Sequence, residues 1–234
     1  MSASDSNRTL FYLENSRAFR VAWVLEELSL PYELRHYSRI DGKRAEASMK
    51  TDSSNRLGKS PYLIDGDVRL GESSAIVKYL IERYASSRER SQLLGSLDSW
   101  QERGDIEAWI SFSEGMMVHT LAAVYPRWFA DPTTAHVIED SMTANIQNNL
   151  NLLESTLSAP NANAYLVAGR LTAADIMCAF SAEYTFYMDT GISSAGKRKE
   201  DWPKTVEWLK SLSKLQSYRN ALEKGATNKF AISY

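Results

Sequence analysis

The sequence predicts an α/β domain of βαβ-ββα order followed by an all-helical domain. Three observations carry that reading. Strand and helix signals alternate up to about residue 84; a polar stretch from Ala85 to Gly95 follows; beyond it apolar residues recur only at helical spacing. The expected boundaries are 1–85 for the first domain, 86–96 for a linker and 97–234 for the second.

Thr9 to Leu13 (TLFYL) is short, β-branched and aromatic, which suits a strand. Ala18, Val21, Ala22, Val24, Leu25 and Leu28 then fall at the three-to-four spacing of an amphipathic helix over Ser16 to Leu28. Tyr32, Leu34 and His36 alternate with charged residues as a second strand, and the expected crossover between the two strands is parallel and right-handed. Ile40 to Leu57 reads as irregular and polar, with a short helix around Arg44 to Lys50. Asp65-Gly66-Asp67 between Tyr62-Leu63-Ile64 and Val68-Arg69-Leu70 predicts a hairpin turning on Asp-Gly, because tight turns need positive φ. Ile76, Val77, Leu80, Ile81 and Tyr84 restore helical spacing after Ser73. This order is the layout of a thioredoxin-like domain.

Past the linker, Leu97 to about Val124 predicts a long helix carrying Trp100, Ile106, Trp109, Ile110, Phe112 and Met116. Ile138, Met142, Ile146, Leu150, Leu153 and Leu157 mark another. Leu171-Thr172-Ala173-Ala174-Asp175-Ile176 is a helix-start signature. Thr172 can accept from the Asp175 amide, the carboxylate can reach back, and Leu171 can pack on Ile176. Pro203 suits the first turn of a further helix through Val206, Leu209 and Leu212.

Composition narrows the function. With 44% apolar and 24% charged residues, the 234-residue chain is an ordinary globular one. Its 27 basic and 29 acidic residues leave no global excess for a nucleic-acid backbone or an anionic membrane. A single cysteine, Cys178, excludes an intrachain disulfide and a Cys-x-x-Cys redox pair, and its apolar neighbours read as core. His36, His119 and His136 lack metal-ligand spacing, so no metal is expected. Thiol chemistry would therefore need a sulfur supplied from outside. The N-terminal residues Met1 to Asn7 are polar, and no stretch approaches the roughly 20 apolar residues of a membrane span. A cytoplasmic location without an integral membrane segment is expected.

Asn15-Ser16-Arg17-Ala18-Phe19-Arg20, Gly58-Lys59-Ser60-Pro61, Glu72-Ser73-Ser74-Ala75-Ile76 and the box at Thr172 stand in an order and spacing that resembles the cytosolic glutathione transferases. The similarity covers essentially the whole chain and is nearest to the fungal GTT-type group, which also shares the segment ending at Leu171 and the Trp208-Leu209-Lys210 segment. The resemblance implies a thioredoxin-like domain, an all-α domain, a homodimer, and glutathione as co-substrate for attack on a small apolar electrophile. Peroxidase activity toward hydroperoxides is a related expectation, and a non-enzymatic carrier or protein-interaction module on the same fold is the alternative. Peripheral association with an internal membrane occurs in GTT-type relatives.

Residue by residue, the resemblance makes Ser16 the expected thiolate stabiliser. A hydroxyl at a helix N-terminus can donate to a sulfur that the macrodipole also favours as an anion. Simple N-capping is the competing reading. Asn15, through its amide, and Tyr12, at the end of the first strand, are alternatives. Pro61 is the implied cis-proline, with the Ser60 backbone on the cysteinyl part of glutathione and Lys59 toward its glycyl carboxylate. Glu72 would hold the ammonium and Ser73 the γ-glutamyl carboxylate. Tyr12, Phe112, Met116 and Met117 are candidates for the electrophile wall, against the ordinary reading of such a stripe as core. Asn55-Arg56-Leu57-Gly58 departs from the Asn/His-Pro-Leu-Gly of many relatives and leaves the loop shape open.

Overall fold

Residues 7–160 and 162–232 of the chain are described by this computed structural model; the polar stretch that begins at Met1 lies almost wholly outside them. Contacts gather the chain into two units. The first runs through Arg90 and takes in Lys214–Lys229; the second is Ser91–Ser213, continued from Phe230.

In the first unit the order is β1 (Arg8–Leu13), α1 (Ala18–Glu27), β2 (Glu33–Tyr37), β3 (Arg39–Ile40), β4 (Arg44–Ala45), α2 (Ala47–Ser53), β5 (Tyr62–Asp65), β6 (Val68–Gly71) and α3 (Ser73–Tyr84). Four strands form a sheet in the order β2-β1-β5-β6. β1 lies parallel to β2, with Thr9 opposite Glu33, and antiparallel to β5, with Phe11 opposite Tyr62. Strand alternation sends Leu10 and Tyr12 to one face and Phe11 and Leu13 to the other, and all four are buried, so both faces are covered. Phe11, Leu13, Tyr37 and Met49 form one cluster, which seats α2 on that face. The Tyr37 hydroxyl donates to Asp52 at 2.9 Å, and burial with that bond pushes its pKa up to about 12.

The hairpin is offset by one residue from its expected turn. Asp65 pairs with Val68, which leaves Gly66, at φ +59°, and Asp67 as the loop. Asp65 is drawn into the strand because its carboxylate is buried under the hydroxyls of Tyr79 (3.0 Å) and Tyr84 (2.6 Å), with Arg8 at 3.5 Å. The expected linker is also different: Ser87–Leu94 is a helix, α4. Ser86 and Glu89 cap it reciprocally, the Glu89 amide donating to Ser86 Oγ and the Ser86 amide to Glu89 Oε2.

The second unit holds α5 (Trp100–Phe129), α6 (Pro132–Leu157), α7 (Ala173–Met188) and α8 (Pro203–Leu212). A last helix, α9 (Gln216–Glu223), falls in the first unit, although its sequence position is within the expected second domain. α9 packs on α1: Tyr218 meets Phe19 and Trp23 edge-on at 4.8 and 5.0 Å, and Trp23 Nε1 donates to Ser217 Oγ. In the second unit α7 is buried on every side from Ala173 to Phe186, with α5 and α8 against it. Several of its polar side chains bond within the unit. Ser181 Oγ donates to Ser113 O, Thr185 Oγ1 lies 2.9 Å from Thr120 Oγ1, and the fully buried Cys178 thiol donates to Trp109 O. The box at Thr172 forms, with the Asp175 carboxylate accepting from the amides of Leu166 and Thr172, the Thr172 hydroxyl and Trp208 Nε1.

Candidate active site

The strongest candidates meet where β1 hands over to α1. Asn15 takes φ +52°, a left-handed conformation that Asn tolerates better than most residues. The loop is pinned from β3: Arg39 donates from Nε to Glu14 O and from Nη2 to Asn15 O, while Glu14 Oε1 accepts the Arg39 amide at 2.7 Å. Ser16 follows at 8% exposure, one position ahead of the helix cap. Its Oγ accepts the Ala18 amide at 3.2 Å and lies 3.5 Å from Ser60 Oγ. The Ala18 bond occupies an acceptor lone pair of the Ser16 hydroxyl, which keeps one proton of its own to donate.

Ser60 precedes Pro61 through a cis peptide bond. The Ser60 hydroxyl ties the end of β1 to this turn, accepting from the Leu13 amide at 2.9 Å and donating to Phe11 O at 3.1 Å. The preceding loop is ordered by Asn55. Its Oδ1 accepts the Leu57 amide and its Nδ2 donates to Lys59 O, while Gly58, at φ +58°, bonds back to Asn55 O. Arg56 stands where many relatives have proline, and Asn55 orders the turn around it. The Lys59 side chain is exposed.

Glu72 and Ser73 open α3. Glu72 sits at φ +65°, ψ +116°, a strained setting for a residue with a Cβ, and accepts the Ile76 amide on its carbonyl. Ser73 is buried, and its Oγ accepts from Nη1 of Arg20 at 2.9 Å. Arg20 is fully buried. Its guanidinium places a positive charge behind the N-terminus of α3, where the helix dipole already favours an anion.

Other expected site residues are buried. Tyr12 is fully buried and its hydroxyl donates to Thr227 O at 2.6 Å; burial raises its pKa, the nearby Arg39 opposing more weakly. Met116 and Met117, at 1% and 3% exposure, are core residues of the second unit. Phe112 is half-buried against Trp109, ring centroids 5.2 Å apart. Among the described residues no group of three His, Cys, Asp or Glu side chains is placed to hold a metal, and no helix is long and apolar enough to cross a membrane.

Family models match both parts of the chain: "Glutathione S-transferase, N-terminal domain" over residues 10–88 and "Glutathione S-transferase, C-terminal domain" over residues 121–216. The chain belongs to the glutathione S-transferase family. Its similarity to fungal members is direct. It is 28% identical to glutathione S-transferase 1 of Saccharomyces cerevisiae, over 91% of this chain and 93% of that protein. It is 38% identical to glutathione S-transferase 3 of Schizosaccharomyces pombe, over 47% of this chain and 42% of that one. A glutathione S-transferase structure from Actinobacillus pleuropneumoniae superposes with a TM-score of 0.79 at 25% identity, covering 97% of each chain.

For a glutathione S-transferase, the sequence reading passed over three kinds of residue. Arg20 stands in the sequence as a lone charge in the apolar run AFRVAWVL. Arg39 and Asn55 gave the usual appearance of surface polar residues. Thr227 and Lys229, which bond to Tyr12 and Asn15, carried no local signal.

Proposed function

We propose that this transferase-family protein binds glutathione in its first unit, stabilises the thiolate, and directs it at small apolar electrophiles. The observation that carries the reading is the Ser16 hydroxyl at the start of α1, accepting from the Ala18 amide at 3.2 Å and lying 3.5 Å from Ser60 Oγ beside the cis Ser60–Pro61 bond. A free cysteine thiol has a pKa near 8.5, so a few per cent is ionised at neutral pH. Hydroxyl and amide donors at the start of α1 favour the anion, raise that fraction and hold the sulfur for attack. Ser73, with Arg20 behind it, would receive the γ-glutamyl carboxylate, Glu72 the ammonium, the Ser60 backbone the cysteinyl peptide, and Lys59 the glycyl carboxylate. In the reaction, sulfur donates its pair to the electrophilic carbon, a C–S bond forms, the leaving group departs with its electrons, and the thiol proton passes to solvent.

The test is the pH dependence of conjugation to a chlorodinitrobenzene-type substrate for wild type, Ser16→Ala and Asn15→Ala, with a hydroperoxide as a second substrate. Loss of the Ser16 hydroxyl should move the limb governed by the thiol upward by about one pH unit, roughly tenfold in rate below both values. An unchanged profile rejects Ser16. Retention on immobilised glutathione without turnover of either substrate would favour the carrier reading.

We also propose a homodimer formed through α5. Trp100, Ala108, Val118, Ala122, Tyr125 and Phe129 make an exposed stripe along one side of that helix, with Trp100 82% and Val118 62% exposed. Gly104 and Gly115 lie in the same stripe, where an added Cβ would touch nothing within 4 Å of its own chain. Each costs about 1 kcal/mol relative to alanine inside a helix, a cost that close approach of a second copy would offset. A cytoplasmic setting, where glutathione is kept reduced, completes the proposal.

A further inference from the structure

We propose that the C-terminal segment Thr227–Lys229 is a positioning strap that turns the donor end of the Asn15 side chain toward the thiol site. The proposal rests on the glutathione reading above. It concerns how that site is held, by residues as far as 214 positions away in sequence.

A side-chain amide is nearly symmetric in shape and opposite in sign at its two ends. Its NH2 attracts a thiolate and its oxygen repels one. Something must choose between them. At Asn15 the choice is made by the Lys229 amide, which donates to Oδ1 at 2.8 Å. A backbone N–H can bond only to the oxygen, so the NH2 is left to face away from the strap as a donor. The backbone of Asn15 is held as well, its amide donating to Thr227 O at 3.2 Å against the cost of φ +52°.

The strap is itself anchored at both ends. Tyr12 Oη donates to the same Thr227 carbonyl at 2.6 Å, so both lone pairs of that oxygen are used and the segment is tied to β1. Asn228 Nδ2 donates to the Tyr218 hydroxyl at 3.1 Å, tying it to α9, which packs on α1. The tyrosine that ends β1 thus acts through the strap and not on the sulfur. The charged groups around this loop are Glu14 on the loop, Arg17 at the start of α1, Arg39 from β3 and Lys229 on the strap.

The decisive comparison is Lys229→Pro against Lys229→Ala in the full-length protein. Both lose the side-chain charge, and only proline loses the N–H. The ultraviolet thiolate signal of bound glutathione, titrated with pH, should place the thiol pKa about half to one unit higher in the proline variant than in the alanine variant. At a pH below both values that is about three- to tenfold less thiolate, with glutathione affinity within about twofold. In an Asn15→Ala background the same pair should differ little, because the strap acts through that amide. Tyr12→Phe should shift the titration in the same direction by less, and it decides the matter if the proline variant does not fold. Identical titrations for the two Lys229 variants, or a difference that survives Asn15→Ala, would overturn the strap. So would a Tyr12→Phe effect that persists without Asn15, which would make the tyrosine itself the donor. A wild-type thiol that ionises no earlier than in buffer is a different outcome, and sinks the transferase reading instead.

Discussion

Arg20 sets the electrostatics at the α3 end of the proposed site. A guanidinium removed from water costs several kcal/mol unless hydrogen bonds and counter-charge compensate it, and one of its protons goes to Ser73 at the N-terminus of α3. A carboxylate bound there would gain from that charge in a medium that screens it poorly. Arg20→Met is therefore expected to raise the KM for glutathione about tenfold while altering kcat less, as read from saturation curves at fixed electrophile. Equal KM values would remove Arg20 from the binding role. Ser16, Asn15, Ser60 and Ser73 are candidates through the resemblance of the motifs that hold them. Tyr12 was not separable from them, because which partner a hydroxyl finds depends on a carbonyl contributed from residue 227.

At the scale of elements, the helices that carried apolar periodicity appeared where spacing placed them, as with α3 and the long α5 and α6. α4 was readable by its Ser86-x-x-Glu89 box but masked by polar composition, because it buries only Leu93 and Leu94. The start of α7 shows what a cap can cost. Burial pushes the Asp175 carboxyl up to about 6, although the Leu166 and Thr172 amides, the Thr172 hydroxyl and the Trp208 indole all favour its ionised form. An aspartate in the unfolded chain titrates near 3.9. Between about pH 4 and 6 the folded state therefore holds that proton more tightly, and the contribution is greatest at low pH and lost as pH rises through 6. Urea midpoints of wild type relative to Asp175→Asn, whose amide does not titrate there, should shift toward wild type on going from about pH 7 to about pH 5. A difference that ignores pH would mean the carboxyl titrates as it does in water.

On the scale of the whole molecule, the α5 stripe makes assembly testable apart from catalysis. Gly115→Leu adds a side chain to the exposed face with nothing of its own chain to strike. Sedimentation should show wild type at twice 26.4 kDa and the variant shifted toward the protomer mass; a monomeric wild type at micromolar concentration would dispose of the dimer. Periodicity, turn residues and motif order determined the α/β-then-helical plan, the parallel β1–β2 pairing and the list of candidate site residues, since each depends on neighbours within a few positions. The tertiary structure alone decided that α9 joins the first unit, that Arg20 lies beneath Ser73, and that a backbone amide at Lys229 orients Asn15. Those are contacts between distant segments, and hydrogen-bond partners chosen across such distances leave no period or spacing in the chain that makes them.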